Sequence, residues 1–258
     1  MSISRLPRSR VRSYSITHPP GRVELPTQPG WDYLVFAHIG LFTALTKSVA
    51  WTVPAHRTLC VPDGTRVRIQ TSGHVGIRCL YLDASLGVLE DAVRVVSLTS
   101  LTRELVLHAV NMSPMNLTAP ADAAAITLLS KQIAVEPGAP LHLPLPDDPV
   151  SRDIAHAIMS NPEDPLHDRI REANANRRTI ERRFSSETGM SLGKWRRRAR
   201  VLASVAKLAE GDSVTNVAVA VGYSSPSSFV AAFRSELGTS PRDFMRNKRA
   251  GPSPTSAP

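Results

Sequence analysis

A chain of 258 residues has room for one large domain or two modest ones, and 42% hydrophobic with 21% charged residues is the balance of an ordinary globular protein. No stretch approaches the roughly 20 apolar residues that span a bilayer, no apolar core follows the basic start as it would in a secretory signal, and Cys60 and Cys79 have neither metal nor redox spacing. A cytoplasmic protein without membrane association is expected, its two thiols reduced and buried. The net charge of +9 is concentrated in residues 150–258, with 18 Lys+Arg against 11 Asp+Glu, so a polyanionic partner is expected there.

In chain order, residues 1–30 carry five prolines and Arg5, Arg8, Arg10 and Arg12 without sustained periodicity, which reads as a flexible basic leader. Over 33–83 short apolar runs alternate with turn signals, as in Thr58-Leu59-Cys60-Val61-Pro62-Asp63-Gly64 and Ile77-Arg78-Cys79-Leu80-Tyr81-Leu82, predicting a small antiparallel β-domain, a barrel or a sandwich. Helical spacing follows at Leu98, Leu101, Leu105 and Ala109 and again over 122–135, a pair of helices suited to a dimer seam. The proline-studded stretch PGAPLHLPLPDDP, residues 137–149, reads as an extended linker with the domain boundary near Asp148. Helices are predicted at 150–160, 166–173, 177–187, 191–209, 214–221, 226–237 and 241–248, and 250–258 as a disordered tail.

Within the helical half the chain repeats itself. Phe184-Ser185-Ser186-Glu187-Thr188-Gly189-Met190-Ser191 and Phe233-Arg234-Ser235-Glu236-Leu237-Gly238-Thr239-Ser240 share Phe, Ser, Glu, Gly and Ser at a constant offset of 49 residues. Gly189 and Gly238 suit the left-handed residue that ends a helix, and the two phenylalanines suit buried anchors. Ahead of each lies a short helix, a tight turn and a second helix, the spacing of a helix-turn-helix. In the second copy Gly222 allows a positive φ in the turn, Ala218 is small enough for close helix contact, and Ser224 or Ser225 can cap the next helix. In the first copy Asn174 takes the turn position and Asn176 the cap, asparagine being the next residue after glycine to tolerate that conformation. Between the copies, Trp195, Ala199, Leu202, Val205 and Leu208 form the apolar stripe of one long helix.

These motifs, the Gly-Tyr-x-Ser segment at Gly222 to Ser225 and the Phe-x-x-x-x-Gly-x-Ser-Pro segment at Phe233 to Pro241 above all, make residues 150–249 resemble the DNA-binding domain of the AraC/XylS family of transcription regulators. The resemblance implies two helix-turn-helix units joined by the long helix, presenting recognition helices to successive major grooves about 34 Å apart. By the same resemblance the first half looks like a cupin-type sensor barrel, carried by Val53-Pro54-Ala55-His56-Arg57 and Val61-Pro62-Asp63-Gly64-Thr65. The expected fold class is therefore α+β: a cupin-like β-barrel with a helical dimerisation segment over 31–136, and an all-α domain with two helix-turn-helix units over 150–249.

Carried over by position, the first recognition helix presents Arg178, Glu181 and Arg182 to base edges, since arginine donates twice to guanine O6 and N7 and glutamate accepts from cytosine N4. The competing reading is a surface ion pair at helical spacing, Arg177 with Glu181, worth only about 0.3–0.5 kcal/mol. The second recognition helix offers short groups alone, Ser227, Ser228 and Ala231, so the first unit is expected to dominate specificity. Arg177, Ser225 and two or three of the cations crowding the start of the central helix, Lys194, Arg196 and Arg197, are assigned to phosphates; a solvated charged face is the alternative for that run.

Metal-binding cupins place a histidine three residues after the glycine where this chain has Val67, and His38, His56 and His74 have no ligand spacing of their own, so neither metal nor cofactor is expected. No Gly-rich phosphate loop, G-x-S-x-G elbow or paired-carboxylate arrangement suggests an enzyme. The expected function is an effector-responsive activator that binds promoter DNA as a homodimer, with RNA polymerase and a small-molecule effector as further partners. The alternative is a non-enzymatic DNA-organising protein that binds by charge with little sequence preference.

Overall fold

The computed structural model describes residues 9–55 and 57–246; residues 1–8 of the expected leader, His56 and the whole of the expected tail, 250–258, lie outside them. The first half is built from two five-stranded antiparallel sheets. One runs in the order β1 (Val11–His18), β8 (Val75–Asp83), β3 (Trp31–Ile39), β6 (Arg57–Val61), β9 (Arg94–Ser97); the other runs β10 (His142–Pro144), β5 (Val49–Pro54), β4 (Leu41–Leu45), β7 (Arg68–Thr71), β2 (Gly21–Glu24).

The first sheet is buried on both faces, which is why β3 is a nearly continuous apolar run rather than an alternating one. Tyr33, Val35 and Ala37 point into the core between the sheets, and Leu34 and Phe36 point outward under two helices, α1 (Ser100–Asn111) and α2 (Pro120–Val135). The same alternation sends Cys79 inward and Cys60 outward, so both thiols are free, and burial pushes each up to about 12.

Two expectations are corrected here. The stretch taken as a mobile leader contributes β1, which pairs with β8 from Val11↔Leu82 to His18↔Val75, and β2, which pairs with β7. The stretch taken as a linker is also part of the sheet: β10 pairs with β5, and Leu141, Leu143 and Leu145 are all buried. Those leucines recur every second residue, the period of a strand, and the prolines between them are tolerated because β10 is an edge strand.

The helical half follows as α3 (Pro149–Ser160), α4 (Leu166–Glu172), α5 (Arg177–Thr188), α6 (Leu192–Glu210), α7 (Val214–Ala220), α8 (Pro226–Leu237) and α9 (Pro241–Arg246). Ile170, Ile180, Phe184 and Trp195 form the core on one side of α6, and Val217, Phe229, Phe233 and Phe244 that on the other. Edge-to-face ring contacts order both, Phe184 with Trp195 at 5.3 Å and Phe233 with Phe244 at 5.6 Å.

α3 starts on Asp148, whose carboxylate accepts from the Ser151 amide at 2.9 Å and pairs with Arg183 of α5. The Arg183 guanidinium and the cap hold the Asp148 carboxyl down to about 2. A carboxyl depressed in the folded state stabilises fully above its unfolded value, and that contribution fades as pH falls towards about 2. Asp148→Asn is therefore expected to flatten the acid limb of the stability curve below about pH 4, read by urea midpoints across pH.

Candidate nucleic-acid interface

The two helix-turn-helix units are built by one local device used twice. After α4, Asn174 adopts φ 47° and the Ala175 amide reaches back to the Ile170 carbonyl at 3.2 Å; after α7, Gly222 adopts φ 81° and the Tyr223 amide reaches back to the Ala218 carbonyl at 2.8 Å. Both are left-handed closures that satisfy the last carbonyls of a short helix. The next helix is then capped by Asn176, accepting from the Arg178 and Thr179 amides, or by Ser225, accepting from the Ser228 amide. Asn176 follows Asn174 by two residues and Ser225 follows Gly222 by three, so the second turn is one residue longer.

Gly222 is required twice over. Its φ is one that side chains rarely adopt, and an added Cβ would lie 2.5 Å from the Arg200 guanidinium and 2.9 Å from the Glu163 backbone. Gly222→Ala is expected to cost at least about 1–2 kcal/mol from the backbone conformation alone, more from the overlap, and to lower the thermal midpoint with DNA affinity falling in parallel. Gly193, in α6 with open space at its Cβ position, is the control, where alanine should be neutral or stabilising.

On α5, Ile180 and Phe184 face the core while Arg177, Arg178, Glu181 and Arg182 are exposed. Arg177 and Glu181 hold each other at 2.9 Å, the ion pair weighed above as the competing reading. Arg178 and Arg182 form no ion pair among the described residues.

The cations of α6 divide differently from expectation, because successive residues turn by about 100° and so fan around the helix. Arg196 is half-buried and donates to the Asp164 carbonyl. Arg197 pairs with Glu236 at 3.2 Å. Arg200 donates to the Pro162 carbonyl at 2.9 Å and lies over the Tyr223 ring. Arg196 and Arg197, expected on phosphates, are thus engaged with the protein, and Lys194 alone of that run stands exposed without a side-chain partner among the described residues.

On α8, Ser225 and Ser228 bind one another: Ser225 Oγ donates to Ser228 Oγ at 3.1 Å and Ser228 Oγ to the Ser225 carbonyl at 2.8 Å. These hydroxyls serve the cap, which leaves Ser227 and Ala231 as the outward groups in the first two turns of the second recognition helix; contrary to the expectation of short groups alone, Arg234 is exposed further along the same face, in the last turn.

One contact set was not foreseen. Arg198 is buried in the apolar stripe of α6 and donates to the carbonyls of His142 at 2.8 Å and Pro140 at 3.1 Å, and to Glu236 at 3.3 Å; Trp195 Nε1 donates to the Pro144 carbonyl at 2.6 Å. β10 is therefore bolted to the helix that joins the two units. The signal was present: Arg198 stands three residues after Trp195 and four before Leu202, in the buried stripe, and a buried guanidinium demands partners.

Two capped helix pairs braced by one long helix, with outward cations on the first, define a DNA-binding protein. A helix-turn-helix domain family matches residues 170–247, which form an AraC-type domain. Among curated relatives, the HTH-type transcriptional regulator NimR of Escherichia coli is 25% identical over 82% of this chain and 78% of its own. The HTH-type transcriptional regulator RipA of Corynebacterium glutamicum is 35% identical over 39% of this chain, which spans only 31% of that relative. Among solved structures, ToxT from Vibrio cholerae aligns over 92% of this chain and 98% of its own at 13% identity and a TM-score of 0.39. The DNA-binding domain of AdpA, solved with a target DNA, aligns over 40% of this chain and 94% of its own at 34% identity and a TM-score of 0.36. The chain is a DNA-binding transcription regulator whose residues 170–247 form an AraC-type helix-turn-helix domain, behind a domain of two antiparallel β-sheets. No helix among the described residues is long and apolar enough to cross a membrane.

Proposed function

We propose that this protein is a non-enzymatic, cytoplasmic, effector-responsive activator that binds promoter DNA as a homodimer, acts on RNA polymerase, and reads bases chiefly through α5. The observation that carries the DNA reading is the contrast between the first two turns of the recognition helices: exposed Arg178 and Arg182 on α5, without ion pairs among the described residues, against Ser227 and Ala231 at the matching positions of α8, whose exposed Arg234 stands only in the last turn. Lys194 beside α5, and Arg177 where it parts from Glu181, supply phosphate contacts. Glu181 orients Arg177 or accepts from cytosine; Ser225 and Ser228 hold the start of α8 against the backbone. Duplexes carrying single-base changes across a bound site test this directly. Changes under α5 should cost about 1–3 kcal/mol each, and equal costs under both helices would oppose it.

Dimerisation is supported by an unpartnered face. Leu101 of α1, Met112 just after its end, and Leu128 and Val135 of α2 are exposed, and Ala121, Ala124, Leu128 and Val135 recur at steps of three, four and seven, the spacing of a helix–helix seam. Leu128→Glu should convert a dimer to a monomer in sedimentation without unfolding it; a dimer that persists would place the interface elsewhere.

The division of labour we propose is a sensor half running from β1 to β10, including α1 and α2, and a DNA-binding half from α3 onward. Effector responsiveness is supported by the bond between them, since β10 belongs to the sensor sheet and also holds Trp195 and Arg198 of α6.

A further inference from the structure

The space between the two sheets is filled by buried side chains such as Tyr33, Phe42, Leu59 and Ile69, but a cavity of about 190 Å³ opens at the end of β3, the start of β6 and the flank of α1. Its apolar wall includes Phe36, Leu98 and Leu107, and its polar groups are Arg57, Arg103 and His38, with no carboxylate among the described residues that line it.

Arg57 is the unusual member. One of its terminal nitrogens donates to Ser97 Oγ, its Nε is buried without a hydrogen-bond partner among the described residues, and burial lowers it to about 10. Glu136, the acid whose charge favours Arg57, is itself occupied by the Thr99 amide and the Thr102 hydroxyl. A guanidinium withdrawn from water without a carboxylate is costly to keep, and an anion entering beside it relieves that cost. Arg103, exposed on the rim and free of ion pairs among the described residues, is placed to close on the same anion.

We propose that this cavity is the effector site and that it takes a small monocarboxylate with a short apolar body, the carboxylate held between Arg57 and Arg103. The volume equals about six waters and lies below the roughly 300 Å³ where pockets for drug-sized ligands begin, so the body is a short chain or a single ring. The proposal rests on the effector-responsive reading above.

The site is wired to the DNA-binding half. The Arg57 guanidinium lies over the Phe244 ring of α9 at 5.5 Å, Phe244 meets Phe233 at 5.6 Å, and Phe233 meets Phe229 at 5.7 Å, both on the second recognition helix. A carboxylate that draws Arg57 away from Phe244 changes the seat of α9 and α8, and α1 carries the same event towards the proposed dimer face.

The test is calorimetric titration of the full chain with butyrate, hexanoate and cyclohexanecarboxylate, with the matching primary amides as neutral controls. Saturable binding of at least one acid and none of its amide is expected. Arg103→Met, at an exposed position that leaves the thermal midpoint unchanged, should weaken it about tenfold to a hundredfold; Arg57→Lys, which keeps the charge over Phe244, should weaken it comparably. Absence of saturable binding by any of the acids, or unchanged affinity in Arg103→Met, overturns the site. Affinity for DNA measured with and without the bound acid separates the two readings: binding that leaves DNA affinity unchanged keeps the site and removes the effector-responsive function.

Discussion

Arg198→Met is expected to lower the unfolding free energy by about 3–5 kcal/mol, the cost of breaking a buried ion pair from one side. Glu236 would be left almost wholly buried beside Arg197 alone, and the carbonyls of Pro140 and His142 would lose their donor. The replacement keeps the volume of the stem, so the loss measures the charge and its hydrogen bonds rather than a cavity. Because those carbonyls belong to the stretch through β10, the variant should also loosen the sensor half from α6, and urea unfolding followed by tryptophan fluorescence should split into two transitions where the wild type shows one. Adding Glu236→Leu should recover part of the loss, since a matched apolar pair often replaces a buried ion pair without penalty. An unchanged midpoint in Arg198→Met would show that the two halves are not joined through this residue.

Arg182→Ala should remove preference at one or two positions of the bound site, with about 1–3 kcal/mol of discrimination lost at each. Its side chain is exposed on α5 two residues before buried Phe184, on a different face, and has no ion pair among the described residues to sacrifice, so folding should be unaffected. Lys194→Ala is the counterpart: it should weaken all duplexes alike and reduce the slope of log affinity against log salt by about one unit. Competition binding with single-base variants separates the two patterns, and uniform weakening by Arg182→Ala would reassign that residue to the phosphates.

Much of the helical half was legible because each helix there carries its own start and stop. Asn176 and Ser225 cap, Gly189 and Gly238 close at positive φ as expected of them, Ser191 and Gly211 do the same for α6, and the expected helix boundaries fall within a residue or two of the observed ones. The edge strands were not legible for the opposite reason. β1 buries only Val11 fully, and β10 hides a period of two beneath Pro140, Pro144 and Pro146, so composition spoke for mobile chain where pairing with a neighbouring strand decided the structure. On α5, where the outward positions were carried over by resemblance, Arg178, Glu181 and Arg182 are exposed and Ile180 and Phe184 buried. The α6 arginines could not be told apart in the sequence, since Arg196, Arg197, Arg198 and Arg200 look alike in a run of charge, and only the packing of the segment between α3 and α4, of α8 and of β10 around the helix determines which of them reach water.

Selection of random duplex DNA by the purified full chain at about physiological salt, followed by sequencing of the bound pool, tests most directly whether α5 and α8 read sequence. A motif with a strong half, and a weaker half one helical turn away, is the predicted result, and Arg182→Ala should blur the strong half alone. A pool bound with a steep salt dependence but no enrichment would contradict it and leave a protein that holds DNA by charge.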